Sequence, residues 1–496
     1  MTSYFLKASQ FPLASVCLQL RYSSGRGSGS RSMSFQKNSN PSPKLQFQLE
    51  RVPHMNDFFP NVPSHPNPLI HNRHFHALMN GFFVHDTDMV ARQVAIDTSD
   101  PTSQTHAYFP RAGPRERVIY KPEDVKAAIV TCGGLCPGMN AVIRELVIGL
   151  WYQYGVRDVQ GIQAGYRGFY SMEWVPLSPK VVDHWHKIGG TVLGTSRGGF
   201  DLEKIISSIE KSCCNVIFII GGDGTLRGAL KIMDEVTRKG LRVTIACIPK
   251  TVDNDVGIID RSFGFQTAVE AAQAAINAAH VEAESTPNGV GLVKLMGRYS
   301  GHIALDATLS SRDVDCCLIP EVPFFLHGEG GLLEFMEQRL KANGHAVIVM
   351  AEGAGQDLIP REGENSIDDS GNVANLDIGP WLSKQLKQWW KEKYPDRLFT
   401  VKYIDPTYMV RAIPSNATDT IYCTLLAHST IHGAMAGYTG FVGGVVNGNY
   451  CYIPLDQVAQ AKHFVNVNDH TWAWVRSVSN QPDFIKPALH ATTIDG

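Results

Sequence analysis

Residues 215–225 read NVIFIIGGDGT, an apolar and β-branched run that leads into glycines and then into a helical pattern over Leu226–Arg238. Such a short run predicts a strand buried on both faces, and the glycines predict a tight turn into the helix. Gly240 ends the helix, and Arg242–Ile248 (RVTIACI) predicts the next strand. This order of elements is typical of a parallel sheet with crossover helices.

The same alternation extends in both directions from this stretch. Upstream, Val125–Thr131 (VKAAIVT) predicts a strand, Ala141–Tyr154 a helix, and Asp201 the cap of an amphipathic helix. Downstream, strands are predicted at Val290–Met296 and His345–Met350, and helices at Thr267–His280, Gly331–Ala342 and Ile378–Lys393. The predicted fold is α/β, with two doubly wound, Rossmann-like parallel-sheet domains and the active site in the cleft between them.

The predicted domain boundaries place an extension at residues 1–117, one α/β domain at 118–264 and a second at 265–496. The first 49 residues contain six Lys or Arg and no Asp or Glu, which is typical of an organellar transit peptide. A disordered tail, or an upstream start with Met33 or Met55 as a second initiation site, remains an alternative. Five prolines between Arg51 and Ile70 predict an irregular arm.

The composition excludes several classes of protein. Lys plus Arg number 45 against 47 Asp plus Glu, and 44% of residues are apolar. This balance argues against a polycation for nucleic acid and against a disordered chain. No run approaches the roughly 18 apolar residues of a membrane-spanning helix, so neither nucleic acid nor a membrane is expected as a partner. Ten cysteines in 496 residues do not make a disulfide scaffold.

The segment Gly221–Thr225 (GGDGT) has the composition of a phosphate loop. Glycines let the backbone approach phosphates closely, and a helix N-terminus offers N–H groups and a positive dipole end. Asp223 would repel phosphate, so its presence favours a Mg²⁺ ion held between the carboxylate and the phosphates. A tight turn with a capping aspartate is the alternative. The spacing excludes a P-loop, and Arg227 occupies the third glycine position of a dinucleotide fingerprint.

A second polar segment, Pro249–Asp255 (PKTVDND), follows the next predicted strand. Its two aspartates lie two residues apart beside the phosphate loop. One could accept a proton from a hydroxyl nucleophile while the other orients a metal or its partner, as phosphoryl transfer requires. A solvated turn is the alternative, because Asp and Asn favour turns.

Four motifs in order resemble the 6-phosphofructokinase family: GGLCPGMN (Gly133–Asn140), GGDGT, PKTVDND and MGR (Met296–Arg298). The resemblance covers about residues 118–480, and stretches such as SFGFQTAVEAA and YIDPTYMVRA are similar to the plant ATP-dependent branch. It implies Mg²⁺-dependent phosphoryl transfer from ATP to the 1-hydroxyl of fructose 6-phosphate. ATP would lie mainly on the first domain and the sugar phosphate on the second, whose C-terminal segments would cross back to the first domain. The family also implies a homotetramer under effector control.

The resemblance implies a role for each matching residue. Asp253 would accept the proton of the sugar hydroxyl, and Asp223 would hold the metal. The residues implied for ATP are Gly133, Gly134, Arg197, Gly198, Gly222, Asp223, Gly224 and Thr225. Those implied for the sugar phosphate are Thr251, Val252, Asp253, Met296, Gly297, Arg298, Glu352, Tyr408 and Arg411. Gly289 and the AIPSNATD stretch after Arg411 depart from the bacterial pattern, so the bacterial type of shared site and effector control does not carry over.

Two residues bear on the phosphoryl donor. Within the family a glycine after the loop aspartate, here Gly224, leaves room for a nucleotide, whereas a second aspartate there marks pyrophosphate users. Lys250 is the residue found in pyrophosphate users, although the plant branch combines it with glycine. ATP is therefore expected; a pyrophosphate-dependent enzyme and a catalytically weak regulatory subunit are the alternatives. Cytosol is the expected location, and the plastid stroma follows if residues 1–49 are a transit peptide.

Overall fold

A computed structural model describes residues 46–72, 82–95, 105–361 and 374–484. The transit-peptide interpretation of the first 49 residues therefore lies almost wholly outside the described residues. The strands in chain order are β1 (Gln46–Leu49), β2 (His65–Pro66), β3 (Met89–Ala91), β4 (Thr105–Pro110), β5 (Arg117–Val118), β6 (Lys126–Thr131), β7 (Asp158–Ile162), β8 (Val175–Pro176), β9 (Val216–Gly221), β10 (Thr244–Pro249), β11 (Gly289–Leu295), β12 (Cys316–Leu318), β13 (His345–Ala351), β14 (Thr400–Ile404), β15 (Phe441–Val446) and β16 (Asn449–Pro454).

The α-helices follow in the same way, and a π-helical segment, Gly149–Tyr154, extends the second of them. They are α1 (Met55–Phe58), α2 (Met139–Ile148), α3 (Gly168–Ser171), α4 (Pro179–Val182), α5 (Leu202–Ser212), α6 (Asp223–Arg238), α7 (Phe265–Glu284), α8 (His302–Ser311), α9 (Leu332–Asn343), α10 (Ile378–Lys393), α11 (Thr407–Arg411), α12 (Ala417–Ala436), α13 (Leu455–Gln460) and α14 (His470–Ser479).

The first of the two main sheets has seven strands, in the order β16-β15-β10-β9-β6-β7-β8. Its five central strands are parallel, and β8 and β16 lie antiparallel at its edges. Thr131 of β6 pairs with Ile220 of β9, and Gly221 pairs with Pro249 of β10. The carboxyl ends of three neighbouring strands therefore meet at one edge of the sheet.

A second sheet of four parallel strands has the order β12-β13-β11-β14. Leu295, the last residue of β11, pairs with Ala351, the last residue of β13. The segments that follow, from Met296 and from Glu352, are consequently neighbours. Both sheets belong to one compact unit, Leu45–Gly496, and their form confirms the predicted class of two doubly wound parallel sheets.

The core shows why the central strands are apolar throughout. Every residue of β9 is buried. Phe218 and Ile220 join the cluster that includes α2 and α12, whereas Ile217 and Ile219 join the cluster that includes α5 and α6. Alternate side chains of a strand point to opposite faces, and helices cover both faces of this sheet.

The chain order differs from the spatial order at the C-terminus. α7 begins at Phe265 and leads to the second sheet, but α12 packs against α2, and β15 and β16 complete the first sheet. A pairing such as Ala246 with Phe441 joins residues far apart in the chain.

The predicted N-terminal extension contains regular structure before Val118. β1, β3 and β4 form a three-stranded sheet with β4 in the middle, and Phe109 of β4 is fully buried. The five prolines between Arg51 and Ile70 lie outside these three strands, so they do not interrupt the sheet.

Candidate active site

The phosphate loop, Gly221–Thr225, joins β9 to α6. Gly222 is the N-cap of α6, so Asp223 begins the helix and the free N–H groups of its first turn face the edge of the sheet. The Tyr166 hydroxyl donates to the Thr225 carbonyl at 2.7 Å and holds the turn. A β-carbon on Gly224 would have only an Arg227 nitrogen within 4.0 Å, so the space above this residue is open.

The end of β6 supplies a second glycine loop. Gly133 has φ +85°, and a β-carbon there would lie 3.1 Å from the Lys250 ammonium. Its N–H donates to the Ser196 carbonyl at 3.2 Å and its carbonyl accepts from the Thr195 hydroxyl at 2.7 Å. These bonds bring Arg197 and Gly198 beside the loop, and a β-carbon on Gly134 would contact the Arg197 guanidinium at 3.8 Å.

The acidic turn, Pro249–Asp255, ends β10 and is held by its own side chains. The Thr251 hydroxyl donates to the Asp255 carboxylate at 2.6 Å and accepts from the Asp253 N–H at 3.2 Å. Asn254 has φ +57°, a left-handed conformation that asparagine tolerates well, and its carboxamide oxygen accepts from the Ser262 N–H at 2.8 Å. The turn thereby directs Asp253 into the cleft.

The second sheet contributes the opposite wall. The Glu352 N–H donates to the Leu295 carbonyl at 2.9 Å, and the Gly353 N–H donates to the Gly297 carbonyl at 3.0 Å. A β-carbon on Gly353 would lie 2.0 Å from the Arg298 carbonyl. The close approach of the two loops therefore requires glycine, and it places Arg298 next to Glu352.

One cavity of about 700 Å³ brings these segments together. The residues predicted from sequence that line it are Gly133, Gly134, Arg197, Gly198, Gly222, Asp223, Gly224, Thr225, Lys250, Thr251, Val252, Asp253, Met296, Arg298, Glu352 and Arg411. Gly297 lies in the same turn without lining the cavity. Tyr408 lies outside it, with its side chain 74% exposed and its ring 5.2 Å from the Arg411 guanidinium.

Sequence reasoning missed part of the lining: Cys132, Leu135, Tyr166, Ser196, Phe200, Arg227, Tyr299, Thr407, Lys462, His463 and Phe464. Arg227 could have been found, because it follows Asp223 by four residues and so lies one helical turn away on the same face. The segment 462–464 carries no local signal, since only the return of the chain places it in the cleft.

The charges around the cavity suit a polyanion. Among the described residues its lining includes six basic side chains and four carboxylates. The basic ones are Arg197, Arg227, Lys250, Arg298, Arg411 and Lys462. Clustered cations in a concave site raise the local concentration of anionic ligands, so the cleft can hold phosphate groups on both of its walls.

The carboxylates of the cleft titrate abnormally. Burial, assisted by the charge of Asp255, raises the pKa of Asp223 to about 6. Burial, together with the charges of Asp255 and Glu352, raises the pKa of Asp253 well above its ordinary value. Such shifts in a cleft are typical of groups that exchange protons or bind cations.

A divalent cation fits the residues present. The Asp223 Oδ1 atom is buried and has no hydrogen-bond partner among the described residues, and carboxylate oxygens are preferred ligands of Mg²⁺. The described part of the chain contains no cluster of three or more His, Cys, Asp or Glu side chains arranged for a metal. Mg²⁺ commonly takes one or two protein carboxylates and completes its coordination with phosphates and water.

A glycine-rich loop at a helix N-terminus, partly buried carboxylates and converging cations in one α/β cleft are typical of phosphotransferases. Residues 126–434 match the phosphofructokinase family, and the chain belongs to that family. It is 66% identical over 420 residues to ATP-dependent 6-phosphofructokinase 2 of Arabidopsis thaliana, covering 84% of this chain and 94% of the relative.

Two further comparisons extend this result. The chain is 55% identical over 441 residues to ATP-dependent 6-phosphofructokinase 4, chloroplastic, of Arabidopsis thaliana, covering 88% of this chain and 82% of the relative. The crystal structure of a pyrophosphate-dependent phosphofructokinase from Marinobacter aquaeolei superimposes with a TM-score of 0.58 at 20% identity, over 72% of this chain and 91% of the other. The family resemblance is confirmed. Across the described residues, no helix combines the length and apolarity needed to cross a membrane.

Proposed function

We propose that the protein is an ATP-dependent 6-phosphofructokinase. It transfers the terminal phosphoryl group of ATP to the 1-hydroxyl of fructose 6-phosphate and releases fructose 1,6-bisphosphate, ADP and a proton. The observation that carries the proposal is the position of Asp253, a half-buried carboxylate between a phosphate loop on one wall of the cleft and Arg298 on the other. The two 6-phosphofructokinases from Arabidopsis compared above bear ATP-dependent names.

Asp253 is the proton acceptor of the proposed reaction. Its Oδ1 atom is buried without a hydrogen-bond partner among the described residues, so it can accept a hydrogen bond from the sugar hydroxyl. As the oxygen attacks phosphorus, its proton passes to the carboxylate, whose raised pKa strengthens it as a base. Transfer is direct and in line, with no phosphoenzyme.

The remaining residues bind and orient. Arg298 and Arg411 hold the 6-phosphate of the sugar, for which an arginine fork provides paired N–H donors. On the other wall the first turn of α6 and Arg197 bind the phosphates of the nucleotide. Thr251, Val252, Met296 and Glu352 complete the sugar side, and Gly297 and Tyr408 support it from outside the cavity lining.

Mg²⁺ is the proposed cofactor, and Asp223 is the residue that would hold it. When bound, it neutralises phosphate charge and orients the terminal phosphoryl group. Asp223 contributes its unpartnered oxygen to this site. Its pKa of about 6 leaves the carboxylate largely ionised at neutral pH, and a nearby cation would lower that pKa further.

The donor assignment depends on Gly224 and Lys250. Open space at Gly224 accommodates a nucleotide, whereas an aspartate side chain would add bulk and negative charge there. The Lys250 ammonium is buried and donates to the Gly134 carbonyl at 2.7 Å. This bond ties the acidic turn to the first glycine loop, a structural role that is compatible with either donor, so the space at Gly224 favours ATP.

A coupled assay tests the function. Purified protein with fructose 6-phosphate and Mg²⁺ receives ATP or pyrophosphate in parallel. Turnover with ATP alone is expected. Turnover with pyrophosphate alone would transfer the assignment to the pyrophosphate-dependent class, and a folded sample that is silent with both donors would support a regulatory subunit.

Domain roles, assembly and location complete the proposal. The domain over 118–264 carries the nucleotide, and 265–496 carries the sugar phosphate. A homotetramer, implied by the family resemblance, is the proposed assembly, and exposed Ile421 and Leu425, one turn apart on α12, offer an apolar surface for self-association. Light scattering would measure the number of subunits. The cytosol is the proposed location; a fluorescent fusion of the full chain that enters plastids, with retention in the cytosol after deletion of residues 1–49, would favour the stroma.

A further inference from the structure

The segment Ala461–Val465, here called the C-terminal strap, crosses the cleft after α13. It pairs with the chain that follows the acidic turn, through an antiparallel bridge between Val256 and Lys462. The His463 N–H donates to the Asp255 carbonyl at 3.0 Å, and its Nδ1 bonds the Asn254 carbonyl at 2.9 Å. The strap is therefore fixed to the turn that carries Asp253.

The same strap is anchored to the second sheet. The Val465 N–H donates at 2.8 Å to the carboxylate of Glu321, which also accepts from the Gly301 N–H at 3.1 Å. The His463 ring packs on His302, with 4.3 Å between the ring centroids. With both ends attached to different walls of the cleft, the backbone at residue 462 has a defined position.

Lys462 extends from this backbone into the cavity. Its ammonium lies 5.2 Å from the centre of the Tyr299 ring, next to Arg298 in the chain. Asp223 and Gly224, at the start of α6, line the same cavity as Lys462. Lys462 has no salt bridge to any carboxylate among the described residues, so its charge is available to a ligand.

We propose that Lys462 is a further phosphate-binding residue, whose ammonium contacts the terminal phosphate of the donor while it is transferred. The inference rests on the proposed function. Tyr299, on the wall of the second sheet, lies 5.2 Å from the ammonium, and the phosphate loop of the first sheet lines the same cavity. The transferred phosphoryl group must pass between these two walls. A lysine at such a place offers a compact charge on a flexible stem, suited to a phosphoryl group that moves between two oxygens.

The other cations of the cleft extend from its two walls. Arg227 belongs to α6 and lies beside Gly224 at the phosphate loop. Arg197 lies beside Gly134 at the first glycine loop, and Arg298 and Arg411 belong to the sugar side. Lys250 is already bonded to the Gly134 carbonyl. Lys462 approaches from the strap, a third direction, so it can offset charge that develops on the equatorial oxygens of the transferred group.

Steady-state kinetics of Lys462→Met, Lys462→Arg and the wild type provide the first test. The methionine variant should lose about 10- to 100-fold in kcat with ATP, with the KM for fructose 6-phosphate within about threefold, and the arginine variant should recover most of the loss. Lys239→Gln is the control, a lysine paired with Glu210 at the far end of α6. A methionine variant within twofold of the wild type would overturn the inference, whereas an inactive wild type would overturn the proposed function instead.

Calorimetry separates a terminal-phosphate contact from a general effect of charge or folding. In the presence of Mg²⁺, Lys462→Met should bind the non-hydrolysable analogue AMP-PNP at least about fivefold more weakly, while its affinity for ADP stays within twofold. Equal losses for both nucleotides, or unchanged binding of AMP-PNP, would contradict the proposal. Lys462→Gln repeats the comparison if the methionine variant is unstable.

Discussion

Asp253 lies in the cleft with one carboxylate oxygen that has no hydrogen-bond partner among the described residues. Burial and the nearby negative charges of Asp255 and Glu352 raise the pKa of Asp253. A hydrogen-bonded carboxylate in contact with water would not show such a rise in pKa. The arrangement costs stability, because an ionised group is held among other acids. It also leaves an oxygen that can accept a hydrogen bond from a ligand in the cleft.

Replacing Asp253 with asparagine should lower kcat about 100-fold or more, because the amide cannot accept the proton. The shape of the side chain is kept, so the affinity for fructose 6-phosphate should change little. Turnover and calorimetric binding of the sugar phosphate measure the two effects. Asp456→Asn, on the exposed side of α13, is a matched control that should retain full activity.

The raised pKa of Asp253 also predicts the acid limb of the pH profile. The base must be ionised, so kcat/KM for fructose 6-phosphate should fall as the pH falls through the pKa of Asp253 in the free enzyme. That pKa lies above the ordinary aspartate value of 3.8, so activity should decline well before pH 4. A rate that stays constant down to pH 4.5, with the fold intact by circular dichroism, would count against Asp253 as the base.

Gly224 is the residue at which donor choice can be tested. Gly224→Asp should reduce kcat/KM for ATP at least about 100-fold, since a carboxylate would occupy the open space beside the phosphate loop and repel the nucleotide phosphates. Parallel assays with ATP and pyrophosphate measure the change. Gly224→Ala, which adds bulk without charge, should lose less, and equal losses in both variants would show that charge is irrelevant.

At the scale of elements, one buried carboxylate joins α12 to the start of α7. Asp419 accepts from the Thr267 N–H at 2.7 Å and from the Thr267 hydroxyl at 2.6 Å, and it is 1% exposed. These bonds satisfy the N-terminus of α7 and fix the helix that leads from the first sheet to the second. The contact therefore connects two segments about 150 residues apart.

Asp419→Ala should lower the free energy of unfolding by about 3 kcal/mol, because it removes two buried hydrogen bonds to a charged acceptor. Urea denaturation followed by tryptophan fluorescence measures the loss. Asp419→Asn keeps an acceptor oxygen and should lose less than half as much. If both variants matched the wild type, the contact would not contribute to docking α7.

At the scale of the whole molecule, the acids of the cleft link stability to pH. The pKa of Asp223 rises to about 6 in the folded state from an ordinary 3.8. A carboxyl whose pKa is raised on folding stabilises the folded state below its unfolded pKa, and this contribution is lost as the pH rises through the folded value. At neutral pH the unliganded protein is therefore less stable than a variant with an uncharged side chain at position 223.

Asp223→Asn should raise the Tm of the unliganded protein by about 2 °C at pH 8, and the gain should shrink as the pH falls from 6 to 4. Differential scanning calorimetry at several pH values measures the difference between the two proteins, which cancels the titration of other groups. Asp313→Asn, an exposed residue outside the cleft, should give no such trend. A gain that grows towards low pH would contradict the assigned direction.

Local sequence patterns are enough to predict the features that depend on neighbouring residues. The buried strands β9 and β10, the helices α6 and α7, and the glycine and acidic turns between them follow from local periodicity and turn chemistry. Because carboxyl ends of parallel strands share one edge, the phosphate loop and the acidic turn could be expected together, and the cavity contains almost every residue assigned to them.

The distant segments that complete this arrangement are visible only in the folded chain. The return of β15 to the first sheet pairs Ala246 with Phe441, and the strap pairs Val256 with Lys462. The early strands β1 and β4 also pair residues that are far apart in the chain, such as Gln46 and Thr105. A sequence pattern records whether a residue prefers burial or a turn. It does not record the partner, because backbone hydrogen bonds and apolar contacts are made without regard to distance along the chain.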